Sequence, residues 1–227
     1  MKVTTDACLF GAWIAEEDKS APLLGTVKSV LDIGAGTALL SLMYSQKNPS
    51  SNSDAIEIDV DAYTQSKENV AGSPFAKRIN LIHDDVKRFT FSKKYDCIIS
   101  NPPFYEKEIL SYNEKKNVAH HHSGLLLEEL LRIIKGNLSS SGMFYLLLPF
   151  KRNEEIKKII LTQDLLISKI VLVKQSMKHN YFRIMIAGKL NQEGHPETQI
   201  EEISICDDLQ QYTEEFKELL KDYYLHL

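Results

Sequence analysis

The chain has 227 residues, of which 43% are apolar and 26% charged, so it can bury one well-packed core and is not predicted to be disordered. Its formal net charge of −4 disfavours nucleic-acid binding through bulk positive charge. We predict one domain over residues 1–227, divided into an N-terminal cap segment (1–25), a core (26–190) and a C-terminal strand and helix (191–227).

The N-terminal residues lack the apolar core of a signal peptide, and no apolar run is long enough to span a membrane. The three cysteines, Cys8, Cys97 and Cys206, are far apart and form no Cys-x-x-Cys pair. Neither a disulfide framework nor a thiolate zinc site is therefore indicated. We expect a cytoplasmic protein with reduced cysteines and no metal.

The first predicted element is a short helix that ends near Ala15. Thr5 and Asp6 precede its apolar residues, and either side chain can cap the free backbone amides of a first turn. A contact between these two residues and a ligand is the alternative, and we keep both interpretations.

A strand, a glycine turn and a helix start are predicted over residues 30–40. Gly34 and Gly36 let the backbone pass close to a ligand, because neither has a Cβ. A dinucleotide fingerprint requires a third glycine three residues later, where this chain has Leu39. The sequence therefore departs from the pattern of a nicotinamide oxidoreductase.

Acidic residues follow the next two predicted strands, residues 54–59 and 79–83. Glu57 lies about twenty residues beyond the glycine turn, where a doubly wound fold places an acid that accepts ribose hydroxyls, although a solvated strand end is the alternative. Asp59 or Asp61 is expected to cap the following helix, residues 62–70. Asp85 lies just beyond the third strand.

The fourth predicted strand, residues 95–99, leads into Asn101, Pro102, Pro103 and Phe104. Neither proline can donate a hydrogen bond, and each restricts the residue before it, so the chain is held rigid and open at the strand's carboxyl end. An amide and a carbonyl there can accept two hydrogen bonds from one planar amino group, and Phe104 offers a face for stacking. We interpret this segment as a clamp for an exocyclic amine.

Residues 105–117 are polar and aperiodic, which predicts a loop over the site, and we place Tyr105 at the substrate. Three adjacent histidines, residues 120–122, point in different directions on a turning backbone and so form a poor zinc site. We prefer a substrate-facing rim, with His121 against the substrate, or a simple lead-in to a helix over residues 124–134 that Ser123 caps.

The rest of the chain predicts a fifth strand (142–148) ended by Pro149, a helix opened by Asn153, and an antiparallel strand pair (166–173 and 182–190) at the sheet edge. The tail adds a strand (200–205) and a helix whose apolar stripe is expected in the core. The stripe is predicted to contain Leu209, Tyr212, Phe216, Leu219, Leu220 and Tyr223. Two basic patches, taken singly, are interpreted as solvated faces, although we count Arg183 among the substrate contacts. The patches are Lys151, Arg152, Lys157 and Lys158, and Lys174, Lys178, His179 and Arg183.

The order of these motifs resembles the S-adenosylmethionine-dependent amino-group methyltransferases. Residues 32–37 resemble their first motif, with Ala38 where glycine is frequent, and Asn-Pro-Pro-[Phe/Tyr] occurs in enzymes that act on adenine N6, guanine N2 or a glutamine amide. Residues 2–13, 68–79 and the tail around Tyr212, Phe216 and Tyr223 are similar to the bacterial tRNA1(Val) adenine-37 N6-methyltransferases.

This resemblance implies a Rossmann-like α/β fold with a seven-stranded, mostly parallel sheet, an antiparallel edge strand and helices on both faces. It also implies that S-adenosylmethionine is the cofactor, that Asp32 orients its amino-acid part, and that Asp85 accepts a hydrogen bond from its adenine. We count Thr5 and Asp6 among the cofactor contacts. The expected substrate is the anticodon loop of a tRNA, bound by a monomer or weak dimer. A ribosomal RNA guanine-N2 or protein-glutamine methyltransferase is the alternative.

Overall fold

The structure, a computed structural model, describes residues 3–18, 27–102, 125–191 and 197–226. It contains one eight-stranded sheet in the order β3-β2-β1-β4-β5-β7-β6-β8. The strands are β1 Lys28–Ile33, β2 Ser51–Glu57, β3 Ile79–His83, β4 Tyr95–Ser100, β5 Leu138–Pro149, β6 Leu165–Ser176, β7 Tyr181–Leu190 and β8 Gln199–Cys206.

Six helices are described, and they lie between or beyond the strands. They are α1 Thr5–Glu17, α2 Leu39–Lys47, α3 Val60–Ala71, α4 Leu127–Asn137, α5 Asn153–Thr162 and α6 Glu214–Leu220. None of the described helices is long and apolar enough to cross a membrane.

The Rossmann-like fold predicted from the sequence is confirmed, but the sheet has eight strands rather than the predicted seven, because the tail strand β8 joins it. β1 pairs in parallel with β2 and β4, β2 with β3, and β4 with β5. β7 is antiparallel to both of its neighbours, β5 and β6. The tail strand β8 then pairs in parallel with β6 and forms the outer edge, so the antiparallel pair lies one strand further in than expected.

The sheet is buried on both faces, which explains the near-continuous apolar runs of its central strands. Alternate residues of one strand enter different cores: Ile98 packs with α4 and α5, whereas Cys97 and Ile99 pack with α1, α2 and α6. The Cys8, Cys97 and Cys206 thiols are free and buried, as the sequence predicted. Burial raises the pKa of all three thiols.

Several predicted boundaries were wrong by a few residues. The N-cap of α1 is Thr4 rather than Thr5 or Asp6, and α1 continues two residues beyond Ala15. For α3 the cap is Asp59, whose carboxylate accepts a hydrogen bond from the Ala62 amide. α4 begins and ends three residues later than predicted, and its expected cap Ser123 lies outside the described residues.

Leu209 does not belong to the apolar stripe of the tail helix. Asp207 accepts hydrogen bonds from the backbone amides of Leu209 and Gln211, which closes a turn before the helix starts. α6 therefore begins only at Glu214, capped by Thr213, and the Leu209 side chain is 80% exposed.

Candidate active site

The carboxyl ends of the first four strands meet at one edge of the sheet. Ile33 at the end of β1 lies beside Ser100 of β4 and Ile56 of β2, while Glu57 lies beside His83 of β3. Since open α/β sheets bind ligands at this edge, the loops that follow these strands define the candidate site.

The glycine turn after β1 adopts backbone conformations that favour glycine. Gly34 has φ +69° and Gly36 has φ +57°. The Gly34 and Ala35 amides donate to the Ile56 carbonyl at 3.0 and 3.1 Å, which fixes the turn against β2. A Cβ added at Gly34 would meet no atom within 4 Å, so the space beside the turn is open.

The Asp32 carboxylate lies under this turn and is completely buried. Its Oδ2 accepts hydrogen bonds from the Ser41 hydroxyl (2.7 Å) and amide (3.2 Å) at the start of α2. Its Oδ1 has no partner among the described residues. Loss of solvent, with the nearby Glu57 charge, raises the pKa of Asp32 to about 6. Sequence reasoning missed Ser41, because its role appears only once α2 folds against β1.

Glu57 holds the glycine turn from the side of β2. Its Oε2 accepts the Gly36 amide at 2.8 Å, and its Oε1 accepts the Asp59 amide at 2.8 Å. Carboxylate oxygens accept more than one hydrogen bond each, so Glu57 retains acceptor capacity for a ligand. Its predicted contact with a ribose stays a prediction.

Asp85 lies beyond β3 and organises a turn. Its Oδ1 accepts the Lys87 amide at 2.9 Å, and its carbonyl accepts the amides of Arg88 and Phe89. The Asp85 side chain remains 21% exposed. Its predicted role at the cofactor adenine is not tested by these contacts.

The proline segment leaves β4 directly beside the glycine turn. The buried Ser100 hydroxyl donates to the Ile33 carbonyl at 2.8 Å and so joins the ends of β4 and β1. Asn101 is half-buried and Pro102 is buried. Sequence reasoning assigned no role to Ser100, although its position next to the proline segment could have indicated one. Pro103, Phe104, Tyr105 and His121 lie outside the described residues.

Asp6 and Arg183, predicted as a cofactor and a substrate contact, are brought together. The Arg183 Nε donates to Asp6 Oδ2 at 2.8 Å, which ties α1 to β7. Burial alone would raise the pKa of Asp6, but hydrogen bonds from Thr4 and Arg183 outweigh it, and the pKa is lowered. Thr5 is the half-buried first residue of α1. Ligand contacts of these three residues stay predictions.

No group of three metal-ligating side chains occurs within the described ranges. The three histidines at 120–122 fall outside those ranges, so the structure does not test the interpretations given for them.

Comparison with known proteins places this geometry in a class. The model of the family "Methyltransferase small domain" matches residues 16–145, which include the glycine turn and the proline segment. The fold matches a predicted O-methyltransferase from Agrobacterium tumefaciens, with a TM-score of 0.67 at 13% identity over 94% of this chain and 95% of that one. It also matches a glycopeptide N-methyltransferase solved with S-adenosylmethionine, with a TM-score of 0.57 at 10% identity over 79% and 94%. The chain is thus a class I methyltransferase by fold and family model.

Full-length relatives narrow the assignment. A tRNA1(Val) (adenine(37)-N6)-methyltransferase from Dyadobacter fermentans is 40% identical over 99% of this chain and 91% of its own length. A protein of the same name from Flavobacterium johnsoniae is 34% identical over 100% and 94%. The chain belongs to the tRNA1(Val) (adenine(37)-N6)-methyltransferase family.

Proposed function

We propose that the protein transfers a methyl group from S-adenosylmethionine to N6 of an adenine in tRNA, at position 37 beside the anticodon, in the cytoplasm. Family membership over the whole chain supports the reaction and the substrate. The observation that carries the proposal is the hydrogen bond between Ser100 and Ile33, which holds Asn101 beside an open glycine turn.

The residues at the turn fit S-adenosylmethionine. The buried Oδ1 of Asp32, which has no partner among the described residues, can receive a ligand hydrogen bond, and the open space at Gly34 admits a ligand against the backbone. We assign Glu57 to the ribose hydroxyls and Asp85 to the adenine, with Thr5 and Asp6 near the amino-acid part. The bound cofactor supplies an electrophilic methyl group on a sulfonium sulfur.

Asn101 acts on the other reactant. The amino nitrogen of adenine is a weak nucleophile, because its lone pair is delocalised into the ring. If the Asn101 side-chain oxygen and the Pro102 carbonyl each accept one of its N–H groups, the nitrogen is drawn towards tetrahedral geometry and its lone pair becomes available. Pre-orientation of two reactants can contribute about 7–11 kcal/mol.

A dedicated histidine base is not required by this chemistry. The methylated ammonium product is strongly acidic and loses its proton readily to water. The target adenine must leave its stack, which costs least in a single-stranded loop. We assign Phe104 to stack on the extruded base, worth about 1–3 kcal/mol.

The test separates the two halves of the site. We expect Asn101→Ala to lower kcat on tRNA at least about 100-fold, as loss of one pre-oriented catalytic hydrogen-bonding group does in other enzymes, with cofactor Kd changed less than about twofold. Glu57→Ala should instead weaken cofactor binding. Calorimetric titration and methyl transfer from labelled cofactor measure the two effects.

Asn191→Ala is the matched control, because Asn191 is exposed just beyond the far end of β7. Equal loss of cofactor binding and turnover in Asn101→Ala would show that Asn101 serves folding. Nucleoside mass analysis of the methylated tRNA identifies the product. N2-methylguanosine, or transfer to a glutamine peptide instead, would favour the alternative members of the amino-group class.

A further inference from the structure

A cleft of about 510 Å³ lies at the carboxyl end of β5. Because β5 is parallel to β4, this is the end of the sheet at which Asn101 lies. The start of β7 closes its other side, because Pro149 pairs with Arg183. We term it the rim cleft; it is lined by Pro149, Phe150, Lys151, Asn180, Tyr181, Phe182 and Arg183. Arg183 is the one lining residue already predicted to contact the substrate, and the other six have no role in the function proposed above.

Aromatic rings line the rim cleft. The Phe150 and Tyr181 ring centroids are 5.0 Å apart and the rings are inclined by 51°, so they do not cover each other by stacking. Both side chains are half-buried. The Arg183 guanidinium lies 5.6 Å from the Phe182 ring. An arrangement of partly exposed rings with cations beside them suits a nucleobase.

The charge of the rim cleft is positive. Lys151 is exposed and has no ion-pair partner within the part of the chain that the structure describes. Lys174 lies 4.5 Å from the Tyr181 ring centroid, and it neutralises the neighbouring Glu202 at 3.2 Å. None of the seven lining residues is acidic. Arg183 is paired with Asp6, so the uncompensated positive charge at the rim cleft is that of Lys151, and it favours a phosphate-bearing ligand.

The far wall of the rim cleft is set apart from Asn101. β5 separates β4 from β7, so two strand spacings put this wall, which Tyr181 and Phe182 form, about 10 Å from β4. A base held against this wall therefore belongs to another nucleotide than the one whose amino group lies at Asn101.

We propose that the rim cleft binds a nucleotide flanking the target adenine, with its base against Tyr181 and Phe150 and its phosphate at Lys151. This inference rests on the proposed function, since it takes the ligand to be the RNA substrate. It adds a second point of recognition, which positions the strand while the target base is extruded.

The experiment uses the full chain and a fluorescent anticodon stem-loop of tRNA1(Val), with Kd from fluorescence anisotropy. Tyr181→Leu should raise the RNA Kd about tenfold or more, as expected for loss of base stacking. In wild type, an abasic ribose at one of the positions flanking the target adenine should cause a similar loss. The same abasic RNA should cost Tyr181→Leu little further, because the two changes remove one contact.

Further variants test the contribution of charge and control for loss of folding. Lys151→Gln should reduce the slope of log Kd against log salt by about 0.7, the value for one phosphate contact of a single strand. Lys189→Gln is the matched control, because Lys189 is exposed near the end of β7 that lies away from the rim cleft. Tyr181→Phe keeps the ring and should bind RNA like wild type, and cofactor Kd should be unchanged in every variant.

The outcomes separate this proposal from the proposed function. If wild type methylates the tRNA adenine but Tyr181→Leu and Phe150→Leu bind RNA like wild type, the rim cleft proposal is overturned and the function stands. Full additivity of Tyr181→Leu with every flanking abasic substitution would overturn it as well. If RNA binding depends on the cleft but no methyl reaches tRNA, the cleft proposal stands and the proposed function falls. Absence of RNA binding by wild type would overturn both.

Discussion

Asp32 keeps a carboxylate fully out of solvent under the glycine turn, with one oxygen bonded to Ser41 and the other unpartnered among the described residues. An ionised carboxylate in that place is costly without a ligand, which is why the pKa of Asp32 is raised to about 6. The residue therefore destabilises the free protein at neutral pH. A cationic or hydrogen-donating ligand would gain the most binding free energy from Asp32 at that pH, because the carboxylate is then ionised.

We predict that Asp32→Asn stabilises the free protein increasingly as pH rises. The folded-state pKa lies above the unfolded value, so the stability contributed by Asp32 is fully present below about pH 4 and is lost as pH rises through 6. The advantage of the variant should approach about 3 kcal/mol at pH 8 and be about half as large at pH 5.

Urea unfolding of both proteins at the two pH values measures this difference. A gap that is the same at pH 5 and pH 8 would mean that Asp32 does not titrate with a raised pKa. The Ser41 hydrogen bonds are the reason for choosing asparagine, because an amide oxygen can still accept them.

Sequence reasoning correctly placed Asp32, Gly34, Glu57 and Asn101 at the carboxyl ends of strands, because the fold fixes their spacing from the strand ends. Their ligand contacts stay predictions. Ala38 shows where sequence reasoning about single residues fails. The methyl group is buried, as expected, but the backbone has φ +62°, a conformation that glycine adopts without strain. The departure from glycine thus carries a backbone cost that periodicity cannot show.

At the scale of elements, β5 and β7 approach each other over a glycine. Gly188 lies opposite Phe144, whose ring fills the space where a side chain would stand. An added Cβ would lie 2.3 Å from Phe144 Cζ and 2.5 Å from the Leu166 carbonyl oxygen of β6. The backbone oxygen cannot move without disturbing the strand pair.

We predict that Gly188→Ala destabilises the protein by about 1–3 kcal/mol or more, in line with overpacked cores. Gly136→Ala is the control: Gly136 lies in α4, a Cβ there meets nothing within 4 Å, and alanine should stabilise the helix by up to about 1 kcal/mol. Thermal and urea unfolding of both variants test the pair. Equal stability of the two would contradict the close approach of β5 and β7.

Most element types were predictable because most strands carry a continuous or alternating apolar run bounded by polar residues, although β2 has only Ala55 and Ile56. Boundaries were not, since hydrogen bonds to partners distant in sequence set them. β5 starts at Leu138, before the predicted residue 142, because Leu138 pairs with Tyr95 of β4. The tail helix starts late because the Asp207 turn competes for the same segment.

In the whole molecule, the sheet joins two cores into one unit. Phe216 of α6 is fully buried in the core that also contains α1 and α2, and its ring stacks on Tyr212 with centroids 4.6 Å apart. Trp13, the single tryptophan of the chain, lies in the same core with its ring edge-on to Tyr145 of β5. The C-terminal helix therefore packs in the same core as the two N-terminal helices.

We predict that Phe216→Ala destabilises the entire protein by about 3–5 kcal/mol, the usual cost of removing a buried phenylalanine side chain. Unfolding followed by Trp13 fluorescence and by far-ultraviolet circular dichroism should give one coincident transition. Leu209→Ala is the control and should stay within about 0.5 kcal/mol of wild type, because Leu209 is 80% exposed. Two separated transitions in wild type would show that the tail folds independently.

For the whole molecule we predict a monomer or weak dimer. β8 is the open edge of the sheet, and its outer residues, Glu201 and Glu202 among them, are exposed. Charged side chains on an edge strand discourage pairing with a second copy. The sequence alone could not identify this edge, because strand order depends on contacts between segments that are far apart in the chain.

The buried thiols have a practical consequence for chemical labelling. All three cysteines of the chain are buried and their pKa values are raised, so few thiolates are available to an alkylating reagent. A cysteine introduced at Lys151 would then be the most reactive thiol in the folded protein. A maleimide dye or a photoactivatable cross-linker could be attached there without first removing the native sulfhydryls, and it would report directly on what approaches that side of the enzyme.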